Sequence, residues 1–426
     1  THGGSAAPQL VLRAMLDAGA RLAEPGEFTQ RAFLNGKLDL AQAEAIADLI
    51  HARSTAAARA AARGVEGRTS DALATIKDRL IETAALVELE LDFSEEDVQF
   101  ADLARLGELL IEADHHLAAL LSTARLGALV RDGVRVVIGG RPNAGKSTLL
   151  NALVEHDRAI VSEIPGTTRD RVEAEREIDG LLFRFVDTAG LRETEDAVEA
   201  EGVRRSREAA ETADVLVYVV DARTGPDAEE TAFLADLASR RPGLSVLRVA
   251  NKSDLVEDDG PRPPDSSVAL PTSSLAPSGE GQGEGAFLPD TSDPETPSPL
   301  VTLDSRLRGN DERGSETPNW LPLSAREALA DPAHLGVLRE ALVDVVCRGE
   351  SEPESGVLVT NERHRQLLSA AREAVGRARA HVEGGTSGDL LALDLRAALD
   401  ALGRITGAVT PDDVLGAIFG RFCIGK

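Results

Sequence analysis

The stretch Gly140-Arg141-Pro142-Asn143-Ala144-Gly145-Lys146-Ser147-Thr148 follows the apolar run "VRVVIG" and matches G-x-x-x-x-G-K-[ST]. Gly140 and Gly145 permit a tight turn whose backbone N–H groups, Ala144 to Thr148 included, wrap phosphates at a helix N-terminus. Lys146 supplies a point charge to the outer phosphates, and the Ser147 hydroxyl suits a magnesium ion. A strand pattern before the motif and the helical "LLNAL" after it give the context that a chance match lacks. A second group reads the base. "NKSD", Asn251-Lys252-Ser253-Asp254, closes the run "LSVLRVA". The Asp254 carboxylate accepts two hydrogen bonds from the N1–H and exocyclic amine of guanine, a pair that adenine does not offer, and losing both in a buried site is costly. "LSA", Leu323-Ser324-Ala325, ends the next run and offers backbone amides to the same base pocket.

Two further segments suit a triphosphate. Asp187-Thr188-Ala189-Gly190 ends "LLFRFV", where Asp187 is placed to hold magnesium through water and the Gly190 N–H to contact a γ-phosphate. "GTTRD" lies between as a loop, with Thr168 able to close onto magnesium. Five elements in this order on successive strand ends imply a GTP-hydrolysing switch. Leu191 stands where many such enzymes carry a water-orienting glutamine, so catalysis draws on other groups. Asn143 can hold a monovalent cation beside the β/γ bridge, supplying the charge that an arginine finger gives elsewhere. Glu199 can reach the water if its segment folds over the site; on its own it reads first as a solvated helix-face acid.

The elements that must position these groups follow from periodicity. From about Leu38 to Leu129 the pattern is helical, and Leu73, Ile76, Leu80, Val87 and Leu91 share one face. Short Val-rich runs then alternate with helical stretches, the signature of buried parallel strands in an α/β domain. After about Cys347 the chain is helical again. The expected organisation is a G domain over residues 131–347 inserted in a helical domain of residues 37–130 and 348–426. Nine of the 20 prolines fall between Pro261 and Pro299, marking residues 256–319 as a disordered insertion.

Composition narrows the rest. The charge of -26, from 46 basic and 72 acidic residues, excludes wholesale binding to a phosphate backbone. Two cysteines far apart in sequence favour a reducing compartment, the cytoplasm. No run approaches the length of a membrane span. The chain opens at Thr1 rather than at a methionine, so part of its N-terminus is expected to be missing.

"GRPNAGKSTLLNAL", "EIPGTTRD", "DTAGLRETEDAVEAEG" and "NKSD", flanked by "PGEFTQRAFLNGKLDLAQAEAIADLI" and the terminal "FCIGK", resemble the MnmE (TrmE) family of tRNA modification GTPases. The resemblance covers nearly the whole chain apart from the insertion. It implies an α/β P-loop GTPase domain inserted in an all-α domain, preceded at residues 1–36 by the end of an α+β folate-binding, dimerising domain. It implies that the enzyme acts with a flavoprotein partner, MnmG, in a heterotetramer. Together they add a carboxymethylaminomethyl or aminomethyl group at C5 of the tRNA wobble uridine. It also implies potassium-dependent pairing of G domains in a homodimer. Carried over by position, Asn143, Ser162, Ile164 and Thr167 would hold potassium, and Ser147 with Thr168 magnesium. Ser162-Glu163-Ile164-Pro165-Gly166-Thr167-Thr168 would lie along the nucleotide, and Glu199 becomes the catalytic glutamate beside Asn143 and Lys146. Ser162 replaces a threonine, a change that a backbone ligand would tolerate. Lys37 and Lys426 carry over as contacts to 5-formyl-tetrahydrofolate.

The tail Cys423-Ile424-Gly425-Lys426 lacks the aliphatic residues and upstream basic run of a prenylation signal. The resemblance implies instead that Cys423 lies near the modification chemistry, where a free thiol would be reactive, although "IFGRF" equally suits a packed helix end. The alternative function is a ribosome-assembly GTPase acting as an rRNA-binding switch, which would need a basic domain where this chain has an acidic helical one.

Overall fold

The computed structural model describes residues 6–92, 103–155, 173–187, 211–256, 320–348, 356–384, 388–408 and 418. It forms two compact units, residues 1–133 with 349–426 and residues 134–348. The first begins with α1 (Ala6–Asp17), α2 (Glu27–Leu34), α3 (Leu40–His51), α4 (Thr55–Val65), α5 (Arg68–Asp92), α6 (Leu103–Ser122) and α7 (Ala124–Asp132). The second runs β1 (Val134–Gly139), α8 (Lys146–Glu155), β2 (Glu173–Ile178), β3 (Leu181–Asp187), β4 (Val215–Asp221), α9 (Ala228–Arg240), β5 (Ser245–Asn251), β6 (Trp320–Leu323), α10 (Ala325–Ala330) and α11 (Gly336–Cys347). The chain then completes the first unit with α12 (Glu362–Gly384) and α13 (Gly388–Thr406).

In the helical unit, residues three and four apart bring Leu73, Ile76, Leu80 and Val87 of α5 onto one buried stripe, as periodicity predicts. It packs in one core with Leu106, Leu110 and Leu117 of α6, Leu368, Ala371 and Val375 of α12, and Leu395, Ala398 and Leu402 of α13. Where the chain re-enters this unit, the Val359 N–H donates to Thr123 Oγ1 at 3.0 Å. Gly127 of α7 lies so close to the Val359 carbonyl that a Cβ there would collide with it. The "GKLDLAQAEA" stretch has a local cause as well. The Asp39 carboxylate accepts from the Gln42 N–H at 2.8 Å while the Gln42 side chain accepts from the Asp39 N–H at 2.9 Å, a reciprocal cap that starts α3.

The second unit holds a six-stranded sheet in the order β2-β3-β1-β4-β5-β6. β1, β3, β4, β5 and β6 pair in parallel. These are the Val-rich runs read as buried parallel strands; β2, which that pattern does not mark, is antiparallel to β3. "EAEREI" carries too many charges to read as a buried strand, and it is tolerated because β2 lies at the sheet edge. Asp179 and Gly180, at φ 48° and 83°, make the tight turn that reverses the chain into β3. β5 pairs with β6 in continuous register from Arg248↔Trp320 to Asn251↔Leu323, across the long connection between them. Because β1 has β3 on one side and β4 on the other, the strand order reverses at its C-terminal end. Ligands bind such sheets at that crevice.

Candidate functional site

The turn after β1 is built by glycine. Gly140 and Gly145 take φ of 135° and 96°, which side chains rarely adopt. A Cβ on Gly140 would strike the Val219 carbonyl oxygen of β4, and one on Gly145 would strike the Asn251 amide. The loop is therefore pressed against the ends of two strands. Gly140→Ala is expected to weaken GTP binding about tenfold or more, since the strained backbone and the clash both oppose the loop's shape. Equilibrium titration with a fluorescent GTP analogue measures this, and an affinity within a factor of two of wild type would contradict it.

Lys146 opens α8, and its Nζ donates to the carbonyls of Gly140 at 2.9 Å and Arg141 at 2.7 Å. The ammonium thus lies within the loop where phosphate oxygens would replace those carbonyls. Ser147 follows it in the first helical turn, exposed as a hydroxyl ligand must be, and Thr148 is half-buried behind it. Ala144 is buried. Asn143 stands out: it is exposed and left-handed, at φ 61°. Arg141 pairs with Asp227, which caps α9, so the loop's outer edge is fixed as well.

Asn251, at 2% exposure, ties the base-reading segment to this loop. Its Nδ2 donates to the Ala144 carbonyl at 2.8 Å and its Oδ1 accepts from the Ala325 N–H at 2.9 Å. The Ala325 amide expected to face the base is therefore engaged by Asn251. The Ser324 hydroxyl is likewise engaged, accepting from Glu327 N–H to cap α10. Lys252 Nζ donates to the Asn143 carbonyl at 2.8 Å. Asp254 is exposed on the short 3-10 turn Ser253–Leu255, its carboxylate open to a ligand. Asp187 ends β3 opposite Ile138 of β1. Sequence reading passed over Asp221, the last residue of β4, which the parallel register sets opposite Asn251.

Other expected residues fall outside the described part of the chain: Ser162 to Thr168, Thr188, Ala189, Gly190, Glu199, Cys423 and Lys426, as does the Asp187 side chain. In the helical unit Lys37 is exposed and lines a hollow of ≈ 460 Å³ with Phe33, Asp39, Gln42 and Thr406. A cation at such an opening fits an anionic ligand. Among the described residues no helix is long and apolar enough to cross a membrane.

A glycine-built phosphate loop at the switch point of a parallel sheet, with an Asn-Lys-Ser-Asp segment locked onto it, defines a P-loop nucleotide-binding domain. The family model for the MnmE helical domain matches residues 40–423, and that for the GTP-binding protein TrmE N-terminus matches residues 1–37. The chain belongs to the MnmE family. It is 50% identical to the tRNA modification GTPase MnmE of Salinibacter ruber, over 100% of this chain and 81% of that protein. It is 41% identical to the protein of that name from Chlorobium luteolum, over 100% and 79%. Among solved structures, Aquifex aeolicus Era bound to GDP and aluminium fluoride is 23% identical over 57% of this chain and 66% of that one, with a TM-score of 0.28.

Proposed function

We propose that this chain is a potassium-activated GTP hydrolase that acts with the flavoprotein MnmG on the wobble uridine of certain tRNAs. The modification is addition of a carboxymethylaminomethyl or aminomethyl group at C5, in the cytoplasm. That the chain is a GTPase of tRNA modification follows from its family, and the Asn251 bond to the Ala144 carbonyl supports its nucleotide-binding part. The potassium reading is carried by one observation: a left-handed, exposed Asn143 in the phosphate loop, held by its own carbonyl rather than its side chain. That leaves the amide oxygen for a cation, with Ser162, Ile164 and Thr167 as further ligands on this reading. Bound there, potassium supplies positive charge beside the developing negative charge of phosphoryl transfer. Ser147 and Thr168 would hold magnesium, and Glu199 would orient the attacking water. Lys37 and Lys426 would meet the glutamate carboxylates of 5-formyl-tetrahydrofolate, and a homodimer would bring two G domains together. GTP turnover is expected to rise about tenfold or more when sodium is replaced by potassium. Equal rates in the two salts would remove the role given to Asn143. Nucleoside analysis of tRNA from cells lacking the protein tests the rest: unmodified wobble uridines are expected, and unchanged ones would refute the tRNA role.

A further inference from the structure

Among the described residues only Asn143, Asp179 and Lys252 are non-glycines in the left-handed region, at φ 61°, 48° and 65°. Asp179 has an ordinary reason, the turn between β2 and β3. The other two lie 109 positions apart and are joined directly, by the Lys252 Nζ bond to the Asn143 carbonyl at 2.8 Å. Left-handed backbone in a side-chain-bearing residue costs of order 1 kcal/mol or more and persists only where surroundings over-determine it. Lys252 alone is a poor clamp, because a lysine stem has many rotamers. Its second partner decides the matter. The same ammonium donates to Asp221 Oδ2 at 2.8 Å. Asp221 is itself braced by Arg223, through Nε at 3.0 Å, Nη2 at 2.6 Å and the backbone N–H at 3.0 Å.

We propose that Asp221 is a positioning residue for nucleotide binding: braced by Arg223, it aims the Lys252 ammonium at the Asn143 carbonyl. It thereby locks the base-reading and phosphate-binding loops into one rigid receptor. The inference rests on the reading of Lys252 and Asn143 as parts of the nucleotide site. Asp221 touches no nucleotide in this account; it acts through Lys252. The carboxylate has the charge it needs near neutral pH. The Arg223 bond first, and then that of Lys252, hold it well below the usual carboxylate range against the opposing effect of burial. The Asp254 charge also reaches Arg223, so the brace and the expected guanine-reading carboxylate share one field.

A double-mutant cycle separates this role from support of the strand end. GDP affinity is measured by equilibrium fluorescence for wild type, Asp221→Asn, Lys252→Ala and the double variant, with apo melting temperatures alongside. Asp221→Asn is near in shape; Asp221→Ala replaces it should the amide variant not fold. Each single variant is expected to bind GDP about tenfold more weakly, and the double variant no more weakly than Lys252→Ala, because the carboxylate has nothing left to aim. Independent, multiplying losses would overturn the inference, as would an Asp221→Asn affinity equal to wild type beside a weakened Lys252→Ala. Undiminished binding by Lys252→Ala would instead sink the underlying reading of Lys252 as part of the nucleotide site, and this inference with it.

Discussion

Asn251→Ala is expected to lower GTP affinity about a hundredfold, since each buried group left without its hydrogen bond costs about 1–3 kcal/mol. Two such groups are involved. The Ala144 carbonyl loses its donor and the Ala325 N–H loses its acceptor, both at buried residues. No water-filled exchange is at hand for either, because Asn251 is itself 2% exposed. The effect reaches ligand binding because the two ends of the bridge are the phosphate loop and the start of α10. Freed from Asn251, the loop loses the hydrogen bond that holds the Ala144 carbonyl beside Gly145. Asn251→Asp is expected to be comparably severe: Oδ1 can still accept from Ala325, but a carboxylate oxygen would face the Ala144 carbonyl. Calorimetric titration with a slowly hydrolysed GTP analogue reads both variants. An affinity within about threefold of wild type for either would mean that the loop holds its shape without the bridge.

The phosphate loop was legible in the sequence because its chemistry is local. Two glycines, a lysine and a hydroxyl at fixed spacing can be read without knowing what surrounds them. The sheet was largely legible too, since strands such as "VLVYVVD" have no other home than a buried layer. β2 was not, because an edge strand needs no apolar run. Long-range partners were equally silent. Nothing near Asp221 in the chain foretells that it meets Lys252, 31 positions on, and only the β4–β5 register makes them neighbours. The same holds for Ala325, whose amide was expected at the base and is taken by Asn251. In "GKLDLAQAEA" the sequence pattern marks a family, but its residues turn out to have structural work. Asp39 and Gln42 cap α3, and Glu44 faces inward.

That inward carboxylate makes the largest stability prediction. Glu44 of α3 meets Arg363 of α12 through two bonds, at 3.0 Å and 2.6 Å, and His364 Nε2 at 2.7 Å. Arg363 also donates to the Arg404 carbonyl of α13 at 2.7 Å and to that of Ile405 at 3.2 Å. One cluster therefore staples the segments of the helical unit that precede and follow the α/β unit in sequence. Its members sit at 10% side-chain exposure for Glu44, 11% for His364 and 23% for Arg363, so the Glu44 and Arg363 charges are little relieved by water. Removing one partner of a buried pair strands the other, at a cost of roughly 3–5 kcal/mol. Glu44→Gln is expected to lower the stability of the helical unit by about that much at pH 7, read by the denaturant midpoint of far-ultraviolet circular dichroism. The acid limb adds a sign. Burial works to raise the Glu44 pKa, but the His364 and Arg363 bonds overcome it and hold the carboxyl at about 2. An unfolded chain returns it to its ordinary value of about 4.3. A carboxylate with a depressed native pKa lends stability above the unfolded value, and this contribution drains away as pH falls toward the native one. Wild type should therefore lose stability between about pH 4.5 and 2 more steeply than Glu44→Gln, by up to about 1.4 kcal/mol per pH unit. Parallel acid limbs in the two proteins would show that the cluster is not held by the Glu44 charge.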